Sequence, residues 1–298
     1  MMRFWFRFPD GTEVLLTQKP VRMKLTRQSG TPANMLEVVF SAAAALFSAE
    51  PCAVRAELDG AEIFAGIVDE HAVRLERGGR QEGFSCRSMA ALLLDSEAMP
   101  GTLEMPSLRV MEKLYLAPFG LRAAGGDFVP KRGQLVIEAG MTCWEVLCAF
   151  AERFLGCTPY CAGDTVYFGT REPGKITLPQ LKSLEVVRCA REQLSRVVVQ
   201  SAQTGAYSAV YENAAAPVAR VRYLSARSET SPTALFAEGE RNALRVEVVC
   251  AGYVDTRPGD IVESTEYEDA LYGLRVVNMV FAAENGVSET RLTLERDG

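Results

Sequence analysis

The feature that most restricts the fold of this chain is a succession of short alternating segments separated by turn dipeptides. Val54, Ala56 and Leu58 alternate with charged residues, and Asp59-Gly60 follows at once. Alternation with a period of two indicates a strand with one buried face, and an Asp-Gly pair is typical of a tight hairpin turn. Because a run of hairpins must hide its edge strands, we expect the first third of the chain to form a β-barrel-like or sandwich domain.

The middle of the chain has a helical pattern instead. Ser107 can cap a first helix. Residues 142–145 read Thr-Cys-Trp-Glu, which is a capping box and predicts the start of a longer helix. The apolar residues that follow at helical spacing are Trp144, Leu147, Cys148, Ala151, Phe154 and Leu155. We predict that these residues form the buried stripe of that helix.

The last part of the chain returns to strand patterns, with one helix beginning at Ser231-Pro232 and a closing hairpin around Asn285-Gly286. We therefore predict a mainly β fold with an α+β insertion, in which two β-barrel-like domains flank or enclose a small α+β domain. The predicted boundaries are 1–98 for the N-terminal barrel-like domain, 99–175 for the α+β domain and 176–298 for the C-terminal barrel-like domain with its helix.

Composition and charge exclude several classes of protein. The 298 residues include 32 basic and 38 acidic ones, which gives a net charge of −6 and argues against a strongly basic nucleic-acid-binding protein. No stretch approaches the roughly 20 apolar residues that a membrane helix needs. The N-terminal segment lacks the apolar core and cleavage site of a signal peptide, so we expect the chain to stay in the cytoplasm.

The eight cysteines are expected to be free thiols, because nothing in the sequence predicts secretion into an oxidising compartment. Cys157 and Cys161 have a spacing that can chelate a metal ion. A closed zinc site needs four ligands, however, and no second cysteine pair has a suitable spacing. We predict no metal site and no cofactor.

His71 is the sole histidine, so a catalytic triad or a cysteine–histidine pair would have to use it. It lies between two predicted strands, and we interpret it as a solvated turn residue rather than a base. The segment Gly125-Gly126-Asp127 lacks the lysine and hydroxyl residue of a phosphate-binding loop. We interpret this segment as a surface loop.

Acidic and aromatic residues leave two alternatives open. The carboxylates of Glu263, Glu266, Glu268 and Asp269 could act in glycoside hydrolysis, but a solvated acidic surface is the simpler interpretation. A second group consists of aromatic residues near the N-terminus, namely Phe4, Trp5, Phe6 and Phe8. They could form an exposed contact patch, but we expect one face of this strand to be core and Trp5 to be partly covered. We predict no catalytic residue.

Several segments together resemble a known family, the phage baseplate hub proteins. Residues 64–69 read Phe-Ala-Gly-Ile-Val-Asp, and residues 83–95 end in Leu-Leu-Leu-Asp. Residues 140–147 contain the capping box, residues 257–262 read Arg-Pro-Gly-Asp-Ile-Val, and residues 273–280 begin with Gly-Leu-Arg-Val. In this order they resemble the Mu-like and PBSX-like tail proteins related to the late control protein D group.

The match departs from the family pattern at two points. Cys86 stands where that family often has glycine, and Leu274 or Arg275 stands where it has tyrosine. The motifs are turn glycines and strand residues, so they indicate a fold more directly than a biological setting. The segment 176–250 is the least similar part of the chain.

The resemblance implies a structural role without catalysis. It implies a homotrimeric ring in which two similar barrels per chain give pseudo-sixfold symmetry, so that a trimeric spike can meet a six-fold tail tube. The implied partners are further copies of the chain, the tail spike protein, and tail-tube or adjacent baseplate proteins. DNA would be only a cargo in the lumen, and there would be no membrane insertion. The resemblance also implies that the chain assembles in the bacterial cytoplasm and then resides in a phage virion or a phage-tail-like contractile particle.

Two alternatives to the hub remain at this stage. The first is a peptidoglycan- or peptide-binding β-module, which would use the aromatic N-terminus or the α+β segment. The second is a cell-wall hydrolase, which would need a cleft with coupled carboxylates or His71 beside a nucleophile.

Overall fold

The computed structural model describes most of the chain. The residues outside the described part are 78, 127, 170, 171, 179, 229, 264–266, 268–270, 297 and 298. Strands hold 47% of the residues and helices 17%, so the prediction of a mainly β chain is confirmed. The chain divides into two compact units, Met1–Pro173 with Met279–Glu289 and Gly174–Asn278 with Thr290–Gly298. The three-domain division with boundaries near 98 and 175 stays a prediction.

The first unit contains the predicted N-terminal strands and the α+β segment. Its strands are β1 (Met2–Arg7), β2 (Glu13–Leu16), β3 (Arg22–Gln28), β4 (Met35–Ala42), β5 (Ala53–Leu58), β6 (Ala61–Glu76), β7 (Gly79–Ser88), β8 (Gly101–Glu104), β9 (Arg122–Ala124), β10 (Gln134–Ile137), β11 (Tyr160–Ala162) and β12 (Thr165–Tyr167). The closing hairpin, β20 (Leu274–Glu284) and β21 (Val287–Arg296), contributes residues to both units.

The main sheet of the first unit has the strand order β20-β3-β4-β7-β6-β5-β1-β2. The pairs from β3 to β2 are antiparallel. Within β7 every second side chain is buried, and these side chains belong to Glu82, Phe84, Cys86 and Ser88. This alternation turns one face of each strand inward, as the sequence pattern predicted.

Phenylalanines fill the core of this sheet. Phe4 and Phe6 on β1 are fully buried with Phe40 on β4, and Phe84 on β7 is 2% exposed. Phe47, from the segment between β4 and β5, packs its ring against Phe6 at 4.9 Å and against Phe84 at 5.9 Å between centroids. The segment 43–52 therefore closes over one part of this aromatic core.

The α+β segment has an apolar core of its own. Its helices are α1 (Leu92–Asp95), α2 (Leu108–Met111), which continues as a π-helical turn over Glu112–Leu116, and α3 (Cys143–Phe150), which continues as a π-helical turn over Ala151–Leu155. Two small sheets, β10-β8 and β11-β12-β9, complete it. Short 3-10 turns cover Met89–Ala91 and Ala117–Phe119. The predicted concentration of helices in this part of the chain is confirmed.

The capping box at the start of α3 is confirmed, but the predicted buried stripe is partly wrong. The Thr142 hydroxyl accepts a hydrogen bond from the Glu145 N–H at 3.2 Å, and the Glu145 carboxylate accepts one from the Thr142 N–H at 2.7 Å. The centre of the buried face is formed by Cys143, Val146, Leu147, Phe150 and Ala151. Trp144, Cys148, Phe154 and Leu155 lie at its margin and are half-buried.

The second unit contains the remaining elements. They are β13 (Lys175–Thr177), β14 (Leu181–Arg188), a 3-10 turn (Ala190–Glu192), β15 (Arg196–Gln200), β16 (Tyr207–Glu212), β17 (Val221–Leu224), α4 (Pro232–Asn242), β18 (Leu244–Ala251) and β19 (Ile261–Glu263). The strand order of its larger sheet is β14-β18-β21-β20, with β13 and β19 paired beside it. A separate sheet has the order β16-β15-β17. Ser231 caps α4 through its side chain, as predicted.

Candidate functional site

The motif residues of the N-terminal unit meet at the side chain of Arg87. Its guanidinium donates to the carboxylate of Asp69 at 2.7 and 3.0 Å and to that of Asp95 at 2.7 and 3.1 Å. Hydrogen bonds from Asp69 and then Asp95 raise the pKa of Arg87 above its ordinary range. Asp69 lies at a register shift of β6 against β7, between Val68 and Glu70, and a bulge of this kind re-aims a side chain. One arginine thus ties β6 and β7 to the end of α1.

Gly66 and Ser88 explain two further motif positions. A Cβ atom at Gly66 would lie 2.0 Å from the Arg87 carbonyl oxygen, so β6 and β7 approach too closely here for any side chain. Ser88 exchanges two hydrogen bonds with Asn34, because its backbone N–H donates to the Asn34 carbonyl and its hydroxyl accepts from the Asn34 N–H. These residues hold the backbone in place, and the N-terminal motif is therefore structural.

Asp260 plays the same part for the motif near the C-terminus. Its side chain is 4% exposed and accepts hydrogen bonds from the Gly174 N–H at 3.0 Å, the Arg257 N–H at 2.7 Å and the Thr256 hydroxyl at 3.1 Å. Gly259 has a φ of 94°, which a turn at this point requires and which glycine adopts without strain. The Pro-Gly-Asp motif is thus a turn fixed by its own carboxylate.

His71 is not the solvated turn residue that we predicted. It lies within β6, which runs through the predicted turn because the bulge at Asp69 keeps the strand in its sheet. Its Nδ1 atom is 2.7 Å from a carboxylate oxygen of Glu50, its Nε2 atom is 3.1 Å from one of Glu82, and its ring stacks on Phe84 at 4.5 Å. In the described part of the chain no serine or cysteine side chain bonds to it, so the geometry does not provide a nucleophile–base pair.

Glu82 is the buried member of this cluster, with no exposed side-chain surface. Burial by itself would raise its pKa, but hydrogen bonds from Arg80 at 2.6 Å, from the Leu46 N–H at 3.0 Å and from His71 outweigh burial and hold the pKa below its usual value. Together with Glu50, these contacts fasten the segment 43–52 to β6 and β7. The cluster is an electrostatic anchor rather than a reaction centre.

The aromatic residues near the N-terminus do not form an exposed patch. Phe4 and Phe6 are fully buried, Phe8 is 8% exposed, and Trp5 on the opposite face is covered by the Arg55 guanidinium at 4.1 Å from its ring centroid. The expectation of one core face with a partly covered Trp5 is confirmed. The alternative that uses these residues as a binding patch is wrong.

The remaining sequence candidates that the structure describes form no assembled site. Burial raises the pKa of the Cys157 thiol, and it raises that of the Cys161 thiol to about 12, so both behave as packed apolar groups. Glu263 forms an ion pair with Lys175 at 2.6 Å. Glu266, Glu268, Asp269 and Asp127 lie outside the described residues. Among the described residues, no three metal-ligating side chains are grouped to hold an ion.

The sheet β16-β15-β17 carries an exposed apolar surface in the second unit. Tyr207, Val210, Val221 and Tyr223 are each between 47% and 63% exposed. The register places Val210 and Tyr223 on either side of Val198, and the rings of Tyr207 and Tyr223 contact each other edge to face at 5.4 Å. Sequence reasoning found the strand patterns of β15 and β17 but missed β16 and this face, because single short strands do not reveal which face is covered.

Comparison with solved structures defines the class of fold. The tail protein of prophage MuSo2 from Shewanella oneidensis superposes with a TM-score of 0.76 at 14% identity, over 99% of this chain and 98% of that one. The tail protein from Neisseria meningitidis MC58 gives a TM-score of 0.70 at 18% identity, over 100% and 97%. The chain therefore has the fold of prophage tail proteins, as the sequence motifs predicted.

A more distant likeness extends to secretion systems. The E. coli c3393 protein, described as a component of the type VI secretion system with structural similarity to the T4 tail proteins gp27 and gp5, gives a TM-score of 0.58 at 10% identity, over 95% of this chain and 75% of that one. No known protein-family profile matches the sequence, and no curated protein matches it. Within the described residues no helix is long and apolar enough to cross a membrane.

Proposed function

We propose that this chain is the structural hub of a phage-type baseplate, which forms a homotrimeric ring and adapts a trimeric spike to a six-fold tail tube. The observation that carries the proposal is the shared fold with two tail proteins, one of them from a prophage, over nearly the full length of each chain. The likeness to a type VI secretion component fits the same class of contractile assembly. Its partners would be further copies of itself, the spike and the tail-tube-proximal proteins.

The side chains described above support a structural rather than an enzymatic role. Hydrogen bonds within the chain engage the charged side chains of the motifs, which are those of Asp69, Arg87, Asp95 and Asp260. His71 is occupied by two carboxylates. A hub acts through contact surfaces, and the exposed tyrosine and valine face of β16-β15-β17 offers such a surface.

The proposed ring has an electrostatic consequence. Three chains of net charge −6 carry −18 together. If acidic residues line the lumen, DNA that passes through is repelled from the wall rather than held by it. The ring would assemble in the bacterial cytoplasm and remain in the virion or in a phage-tail-like particle.

Light scattering behind size-exclusion chromatography tests the proposal. One chain has a mass of 32.6 kDa, so a trimer is expected at about 98 kDa over a range of protein concentrations. If the pure chain runs as a monomer, the same measurement is made after co-expression with the product of the neighbouring spike gene. A chain that stays monomeric and also leaves the spike unbound would contradict the hub.

A further inference from the structure

A groove of about 450 Å³ runs along strand β8 in the α+β segment of the first unit. One wall is formed by the consecutive residues 97–103, and the other includes Leu114, Tyr115, Pro118 and Phe119. Ile137 is the β10 residue that reaches it, so the groove follows β8 rather than β10. None of the side chains discussed for the hub contributes to it.

The backbone beside the groove is paired on one side. Gly101 to Glu104 pair with β10, and the preceding residues continue that pairing, since the Ala98 N–H donates to the Met141 carbonyl and the Cys143 N–H donates to the Ser96 carbonyl, both at 2.8 Å. Among the described strands β8 has β10 as its sole neighbour. Its other edge therefore has N–H and C=O groups that a further strand can bind.

Apolar side chains of the groove are exposed to an unusual degree. Met99 is 85% exposed and Leu114 is 45% exposed. A Cβ atom at Gly101 would have nothing within 4 Å, and the backbone there has no positive φ. Neither packing nor conformation requires glycine at this position, and its missing side chain keeps the groove open above Ile137.

One charged group in the groove points to the chemistry of its occupant. Glu97 is the one charged residue among the groove-lining side chains that the structure describes, so this end favours a basic group.

We propose that the groove binds an extended segment of another protein, which adds to β8 as a further strand. Alternate apolar side chains of that segment would lie over Gly101 and against Leu114, and a basic side chain would lie beside Glu97. This is recognition by strand addition, in which main-chain hydrogen bonds supply affinity and side-chain pockets supply specificity. The proposal goes beyond the ring, because it assigns a separate surface to the α+β segment.

Binding of designed peptides to the full chain tests it. The probe is a blocked hexapeptide with an N-terminal lysine followed by alternating valine and threonine. Two comparison peptides replace the lysine with glutamate or place proline in the centre, where a strand must donate an N–H. The readout is the methyl NMR signal of Met99, which is assigned with the Met99→Leu variant. We expect the lysine peptide to shift this signal to saturation and the comparison peptides to bind at least about threefold more weakly.

Two matched glycine variants then test the location. Gly101→Val fills the groove and should weaken binding at least about tenfold. Gly126→Val adds the same side chain at another glycine with open space around it and should leave binding unchanged. Both variants should melt like the unmodified chain. If Gly101→Val melts earlier, Leu114→Lys replaces it, because that exposed position tolerates charge and would repel the basic peptide.

Several outcomes would overturn the proposal. The first is a Met99 signal that no peptide shifts, and the second is that Gly101→Val binds the lysine peptide as tightly as the unmodified chain does. The third is a Met99 signal that shifts with protein concentration alone. The fourth is a Met99 signal that responds only to a chitin oligosaccharide. The third result would identify a second copy in the groove, and the fourth would identify a glycan. The ring is measured independently by scattering, so failure here leaves the hub proposal intact.

Discussion

Single charged side chains join segments of this chain that are distant in sequence. Arg87 binds Asp69 and Asp95, and Asp260 binds the backbone of Gly174. An exposed ion pair contributes only about 0–1 kcal/mol, but a guanidinium that grips two carboxylates through paired hydrogen bonds also fixes their orientation. We therefore interpret the motif charges as positioning devices for turns and strand ends.

Glu82 should make the stability of the chain depend on acid pH. Because its pKa in the folded chain lies below the usual 4.5, its ionised form stabilises the fold above about pH 4.5, and this stabilisation is lost as the pH falls through the folded value. We expect Glu82→Gln to lower the free energy of unfolding by roughly 1–3 kcal/mol at pH 7 and to make the loss below pH 4.5 shallower. Urea unfolding between pH 3 and pH 7 measures both effects.

The exposed Glu13→Gln variant is the control for this experiment, since Glu13 lies at the surface of β2. If the free energy of unfolding falls below pH 4.5 as steeply in Glu82→Gln as in the unmodified chain, the cluster with His71 and Arg80 does not stabilise the segment 43–52 through its charge.

At the level of elements, local signals and the buried faces of the N-terminal strands were predictable, but the buried face of helix α3 was only partly so. The Thr142–Glu145 capping box follows from spacing alone, and the structure confirms both of its hydrogen bonds. The helical spacing predicted Trp144 as part of the buried stripe, yet the buried face of α3 is centred on Val146 and Phe150. His71 was misread because a bulge lengthens β6 through a polar segment, and a bulge depends on the partner strand.

The corrected helix face predicts unequal costs for two aromatic truncations. Phe150 is fully buried, so Phe150→Ala should destabilise the chain by roughly 3–5 kcal/mol. Trp144 is half-buried, so Trp144→Ala should cost less than about 2 kcal/mol. Chemical denaturation of the full chain compares them. Equal losses would mean that the indole contributes as much to the core as the phenyl ring does.

At the level of the whole molecule, function depends on surfaces that local patterns do not reveal. Strand alternation predicted the mainly β chain, and motifs that the structure explains as turns and close approaches predicted the fold of phage-type tail proteins. The sequence did not predict the exposed face of β16-β15-β17 or the groove beside β8. Both surfaces depend on which strands pair and on which side chains remain exposed after pairing. The sequence of one segment does not determine either.

The exposed tyrosine face should contribute to assembly if the hub proposal holds. Tyr207→Glu with Tyr223→Glu places two charges on it, and we expect the trimer to dissociate at protein concentrations at least about tenfold higher than those needed for the unmodified chain. Sedimentation velocity measures this. Val129→Glu, which changes another exposed apolar residue, should have no effect. Identical dissociation of all three proteins would exclude this face from the contacts between copies.

The first unit is built from two segments that are far apart in the sequence, and this has a consequence for biosynthesis. Residues Met279–Glu289 belong to the first unit, although all of Gly174–Asn278 precedes them. Strand β3 therefore cannot pair with its neighbour β20 until the ribosome has also made all of Gly174–Asn278. The nascent first unit must keep one sheet edge open while those residues are made, and messages truncated before this hairpin should yield products that cellular proteases remove.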